Sequence, residues 1–217
     1  MAVLKRAISE KDKLKRREKI LKTARTLFEK NDGTLPTISE IAQKAGLSKG
    51  SVYLYFKTKN EIFLSLYMHH IRLWHDSLAE AVENFAGDIT VAEYSRVLTQ
   101  YLIRNPLVLR MWSLINVFFT GNIDEKMFMD FKIQLAGLLK DHGKLTYKLF
   151  PDLSMDRWLE IHFRIFALIL GLWQVYYSPN QMKKLVRESK INIFEHDFSD
   201  SVVDSVTTFI KGALQNG

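Results

Sequence analysis

The chain has 217 residues, 47% of them hydrophobic, which is enough apolar material for a folded core and excludes an intrinsically disordered chain. It contains no cysteine, so disulfides, thiolate metal sites and cysteine nucleophiles are excluded together. The net charge of +7 is lopsided: residues 1–60 hold 15 Lys/Arg against 6 Asp/Glu and the rest hold 16 against 18, a balance that points the N-terminal segment toward a polyanion.

The opening Met1-Ala2-Val3-Leu4-Lys5-Arg6 runs straight into charge, with no apolar stretch or small-residue cleavage site behind it, so it does not read as a secretion signal. The first helix is predicted from about Lys13 to Asn31. Its apolar residues Ile20, Leu21, Ala24, Leu27 and Phe28 form one stripe, and Asn31-Asp32-Gly33 tolerates the left-handed backbone of a helix end. Ahead of it, Lys5, Arg6, Lys11, Lys13, Lys15, Arg16 and Arg17 are expected to form a basic arm that tracks phosphates or enters a minor groove.

Capping boxes then mark successive helix starts at Thr37-Ile38-Ser39-Glu40, Thr58-Lys59-Asn60-Glu61 and Thr90-Val91-Ala92-Glu93, and Asn122-Ile123-Asp124-Glu125 starts another helix. Asn105-Pro106 places a polar cap before a proline at the first helical position. The helix after Asn122 is predicted to run to about Phe150, before Pro151. Ser154 opens an apolar helix through Tyr177, which Ser178-Pro179 ends. A short helix near Gln181–Glu188 and an amphipathic one from about Ser199 complete the chain. The most apolar stretch, Ile161 to Tyr177, spans only 17 residues and contains His162, Arg164 and Gln174, so a buried helix is expected rather than a membrane span. The expectation is an all-α, cytoplasmic protein of about nine helices.

Residues 37–59 carry the chemistry. Ile38, Ile41, Ala42 and Ala45 share one side of a short helix, and Ala42 is small enough for a close helix crossing. Gly46 supplies a positive-φ turn, Leu47 fills the space beneath it, and Ser48 caps a second short helix. In that helix Val52 and Phe56 point inward, Lys49 and Tyr53 point outward, and Ser51 and Tyr55 lie at the flanks. This is the pattern of a helix-turn-helix whose second helix enters the major groove. Phenolic hydroxyls can bond phosphates there, ring edges can meet thymine methyls, and Lys57 and Lys59 can neutralise backbone phosphate.

The run Thr37, Ile41-Ala42, Ala45-Gly46-Leu47-Ser48-Lys49-Gly50, Tyr53-Leu54-Tyr55-Phe56 and Lys59 resembles the DNA-binding domain of the TetR family of bacterial transcriptional regulators, over roughly residues 15–65. The resemblance implies an N-terminal three-helix DNA-binding domain (1–58) and a C-terminal helical effector-binding and dimerisation domain (59–217). It implies a homodimer on double-stranded DNA with a (pseudo)palindromic operator, usually as a repressor. By position, Thr37, Tyr55 and Lys59 would face phosphate, Lys49, Gly50 and Tyr53 the bases, and Ser51 either. The alternative is a regulator on the same fold without a small ligand, acting as an activator or through protein partners.

In the C-terminal part, the last helix carries the stripe Val202, Val203, Val206, Phe209, Ile210, Ala213 and Leu214, and the helix before it is apolar nearly all round. One face of that helix can serve the subunit's own core and the other needs a second cover, which a partner subunit would supply through Leu159, Phe163, Phe166, Leu170, Val202, Val206, Phe209 and Ile210. Tyr101, Met111, Trp112, Phe119, Phe131 and Trp173, with Arg104 and His162 as polar handles, are the candidates to line a pocket for a lipophilic effector, aromatic or fatty acyl. His69, His70 and His75 lack metal-ligand spacing, and no phosphate loop, serine elbow or paired-carboxylate motif appears. No metal, cofactor or catalytic residue is expected.

Overall fold

The computed structural model describes residues 10–31, 34–85, 87–119, 124–177, 188 and 197–215. Among them are nine α-helices and no strand: α1 (Glu10–Lys30), α2 (Ile38–Ala45), α3 (Lys49–Tyr53), α4 (Lys59–Glu83), α5 (Val91–Arg104), α6 (Pro106–Ser113), α7 (Glu125–Leu149), α8 (Met155–Tyr176) and α9 (Phe198–Gln215), with a 3-10 turn at Val117–Phe119.

The caps explain most of the starts. At Thr37 and Thr90 the threonine hydroxyl accepts from the backbone of Glu40 or Glu93, and that glutamate reaches back to the threonine N–H. At Thr58 the hydroxyl accepts from the Glu61 N–H at 3.1 Å, but the Glu61 carboxylate reaches one residue further back, to the Lys57 N–H at 2.7 Å. Two expected caps differ. Asp124 caps α7, accepting from Met127 N at 3.0 Å, whereas Asn122 lies outside the described residues. Asn105 precedes Pro106 as expected, yet its side chain donates back to the Tyr101 carbonyl at 2.9 Å and caps nothing. Ser178-Pro179 and the helix expected near 181–188 lie outside the described residues, apart from Glu188.

Helix α1 is already formed at Glu10, earlier than expected, and there Lys13 pairs with Glu10 at 2.6 Å. Lys11, Lys13, Lys15, Arg16 and Arg17 are therefore helical residues and not a preceding arm. Lys5 and Arg6 lie outside the described residues.

The chain divides into two compact units, Met1–Tyr67 and Met68–Gly217, so the boundary falls later than residue 58. The first turns of α4 belong to the first unit because Ile62, Phe63 and Leu66 are buried there, with the Phe63 ring 5.3 Å from that of Phe28 on α1. That unit's core is completed by Ile20, Ala24, Ile41, Ala42, Ala45, Val52 and Phe56. In the second unit α9 packs on α5 and α8, α7 packs on α8, and α6 packs on α8 and α5. Helix α8 is long and apolar enough by composition to cross a membrane. Its Trp158, Ile161, His162, Ile165, Phe166, Ile169 and Trp173 are instead buried in the unit's interior.

Candidate nucleic-acid interface

The short helices α2 and α3 form the site. Gly46 ends α2 at φ 62°, ψ 39°, and the Leu47 N–H bonds the Ala42 carbonyl at 2.9 Å across it, closing the left-handed turn that glycine accepts without strain. Ser48 then caps α3, its hydroxyl accepting from Ser51 N at 3.1 Å and lying 2.9 Å from the Ser51 hydroxyl. Both serine side chains are thereby committed to shaping the start of α3.

The faces of α3 separate sharply. Val52 is buried, as is Phe56, which prolongs the turn through its N–H to the Val52 carbonyl at 3.1 Å. Lys49 and Gly50 are exposed, and Ser51 and Tyr55 are half-buried at the flanks. Tyr53 is 53% exposed. Lys57 and Lys59 follow on the surface. Gly50 has nothing but the Ser48 hydroxyl near the place of a Cβ, so a backbone can approach there without obstruction.

Two features of this surface were not legible in the pattern of residues. Leu54 is 77% exposed, between the two tyrosines, because Val52 and Phe56 already fill the inner face. Thr37 is exposed, but its hydroxyl donates to Glu40 Oε2 at 2.7 Å. The Thr37 N–H first, and then that hydroxyl, hold the Glu40 carboxyl below its ordinary pKa. A phosphate at Thr37 would thus meet a carboxylate that already holds the hydroxyl proton.

The residues expected to line a pocket are spread through the second unit. Trp112 joins Phe166 at 5.7 Å, Phe119 lies 5.4 Å from Phe131, and Trp173 stacks on Tyr177 at 4.8 Å. Met111 is buried, Tyr101 is half-buried with its hydroxyl 2.8 Å from His70 Nδ1, and Arg104 is exposed. His162 is a satisfied core residue and not an open handle. Its Nδ1 donates to the Trp158 carbonyl at 2.8 Å, which leaves Nε2 as the acceptor facing Thr146 at 3.0 Å and Tyr94 at 3.1 Å.

The residues expected at a subunit interface divide in two. Val202, Val206, Ile210 and Phe166 are buried within the chain's own core, where α9 meets α5 and α8 and where Phe166 packs beside Trp74, so their cover is already internal. Leu159, Leu170 and Phe209 are half-buried. Phe163, 69% exposed, stands on an outer face of α8 with Arg164, Ala167, Gly171, Gln174 and Val175.

Residues 20–66 match the family model described as bacterial regulatory proteins, tetR family, and residues 68–217 match one described as Tetracyclin repressor-like, C-terminal domain. Two Bacillus subtilis (strain 168) proteins, the uncharacterized HTH-type transcriptional regulators YerO and YfiR, are 38% identical over 72 residues and 36% identical over 56. Those stretches are 33% and 26% of this chain, and span only 25% and 27% of the relatives' lengths. Among solved structures, the fatty acid degradation regulator FadR from Bacillus halodurans superposes with a TM-score of 0.60 at 16% identity, covering 92% of this chain and 94% of that one. FadR from Bacillus subtilis, solved in complex with stearoyl-CoA, gives 0.56 at 17%, covering 88% and 98%. At these identities the likeness shows the shared fold.

Proposed function

Because this chain belongs to the TetR family of bacterial transcriptional regulators, we propose that it is a homodimeric, cytoplasmic repressor that leaves a (pseudo)palindromic operator when a small lipophilic effector binds its second unit. The observation that carries the DNA assignment is the division of α3: Val52 and Phe56 are buried beneath while Lys49, Tyr53 and Leu54 stand in solvent. An exposed tyrosine at the end of a five-residue helix and an exposed leucine at its C-cap serve no packing purpose, and both suit a groove of bases and sugars. In this reading Lys49, Gly50 and Tyr53 face base edges, and Tyr55 and Lys59 face phosphate. Ser48 and Ser51 shape the helix start and meet phosphate from there. Thr37 reaches phosphate once it releases Glu40.

The exposed Phe163 and Val175 on α8, with Phe209 on α9, support a second copy of the chain as cover. The aromatic interior of the second unit supports a lipophilic effector, as does the stearoyl-CoA carried by the B. subtilis FadR structure. An effector that prefers one dimer geometry lowers DNA affinity by the difference in its affinity for the two.

Selection of bound fragments from random DNA, followed by anisotropy titration, tests the reading. The expected result is an inverted repeat bound by a dimer, with Tyr53→Ala and Lys49→Ala each weakening binding at least tenfold while helicity and melting stay unchanged. Selection of no common sequence would sink the proposal.

A further inference from the structure

His142, on α7, has 2% of its surface exposed, and neither ring nitrogen has a hydrogen-bond partner among the described residues. The His75 ring of α4 stacks on it, centroids 5.0 Å apart and planes 17° from parallel, and His75 Nδ1 is likewise without a partner. Trp74 meets the His142 ring edge-on at 5.2 Å, His162 lies at 6.0 Å and Phe166 at 6.1 Å. A hydrogen bond left unmade by a buried polar group costs stability. His162, next door, shows the fold satisfying both nitrogens of a histidine it keeps for its own core. A phenylalanine would fill the same aromatic nest around residue 142 without that cost. The unmet nitrogens therefore call for a partner from outside the chain.

We propose that His142, with His75 beside it, is the hydrogen-bonding anchor for a small apolar molecule that carries an uncharged hydroxyl group. The proposal rests on the reading that the second unit takes a small effector, and names that effector's polar group. A neutral imidazole offers one N–H donor and one bare nitrogen acceptor. A hydroxyl donates and accepts at once, so it meets both kinds of nitrogen, whereas an ether or ketone oxygen meets only the donors. An anion fits poorly. Burial, chiefly, and then the neighbouring His162 and His75, hold His142 well below its ordinary pKa and therefore uncharged. Asp141, which feels His75, is already bonded to Lys144 at 2.8 Å. The rings that meet it from α4 and α8 are Trp74, Phe166 and the neutral His162, largely apolar walls.

Helix α7 has glycines on both sides of His142, at 137 and 143. A glycine inside a helix weakens it relative to alanine. A Cβ at Gly143 would come within 2.9 Å of Leu159 Cδ2, so packing against α8 requires glycine there. A Cβ at Gly137 would meet open space, and only that glycine is left to loosen the helix. The looser backbone suits a segment that must open to admit a guest.

The test is calorimetric titration of the full chain with 4-butylphenol and with its methyl ether, 4-butylanisole, using wild type and His142→Phe. Wild type is expected to bind the phenol at least tenfold more tightly than the ether, and the phenylalanine variant to bind the two alike. Imidazole nitrogen NMR of the wild type is expected to show the His142 resonances moving with the phenol and not with the ether. That measurement decides the question even if the variant fails to fold. Equal binding of phenol and ether, binding of neither, or a preference that survives His142→Phe overturns the proposal. Operator release, followed separately by anisotropy, keeps the two readings apart. Phenol binding without release refutes the effector reading and leaves this site standing; release by a ligand indifferent to His142 does the reverse.

Discussion

The Arg17 guanidinium lies over the Phe56 ring, 5.0 Å from its centroid, and donates from Nη2 to the Ser65 hydroxyl at 3.2 Å. A residue expected in a DNA-seeking arm thus ties α1 to the end of the reading turn and to the start of α4. A cation over a ring at an exposed site and one hydrogen bond contribute about 1 kcal/mol together. Arg17→Ala is expected to lower the melting temperature by several degrees and to leave the salt dependence of DNA binding unchanged. Unchanged melting with a salt slope reduced by about one would instead make Arg17 a phosphate ligand.

The two faces of α3 are separable by mutation. Leu54→Ala is expected to weaken operator binding severalfold with no change in urea midpoint. Val52→Ala, which empties a fully buried site, is expected to destabilise the protein by about 2 kcal/mol. Paired anisotropy and urea titrations check both, and a stability loss at Leu54 would contradict its outward placement.

At Gly46, φ of 62° excludes ordinary side chains without strain although nothing crowds the missing Cβ. Gly46→Ala is expected to cost about 1 kcal/mol in urea denaturation, since left-handed backbone is the only obstacle. A neutral or stabilising substitution would show that the turn relaxes.

Acid sensitivity follows from the buried histidines. Burial pushes His162 down to about 4 and His142 down as well, whereas the unfolded chain titrates near 6.5. Between those values the unfolded state binds more protons, so stability falls as pH drops below 6.5 and His162 stops contributing to the fall near 4. At about 1.4 kcal/mol per pH unit, His162 alone accounts for a loss of about 3 kcal/mol across that window. Urea unfolding from pH 7.5 to 4 should show this decline, and His142→Phe should make it shallower; a flat profile would contradict the buried neutral imidazoles.

Phe163 tests the assembly. Placing a charge on the most exposed aromatic of α8 with Phe163→Glu is expected to yield monomers in sedimentation at micromolar concentration and to reduce operator affinity, with helicity retained. A dimer unaffected by this change would place the interface elsewhere.

The N-terminal unit was largely legible in the sequence because its signals are local. Caps such as Thr37 and Ser48, the αL glycine at 46 and the four-residue spacing of Val52 and Phe56 act within one or two turns, where stereochemistry decides and distant residues scarcely intervene. The same locality named Lys49, Gly50, Tyr53, Tyr55 and Lys59 as surface residues around α3. Only the tertiary structure decided the rest. An apolar stripe states that a face is covered and not by what, so Val202, Val206 and Ile210 found their cover on α5 and α8, while Phe163 stayed in solvent. Arg17 became a clamp because it is a helical residue of α1 that packing brings over Phe56. For three histidines of one composition, packing alone separated His162, bonded at both nitrogens, from His142 and His75, whose unmet nitrogens no spacing along the chain could have revealed.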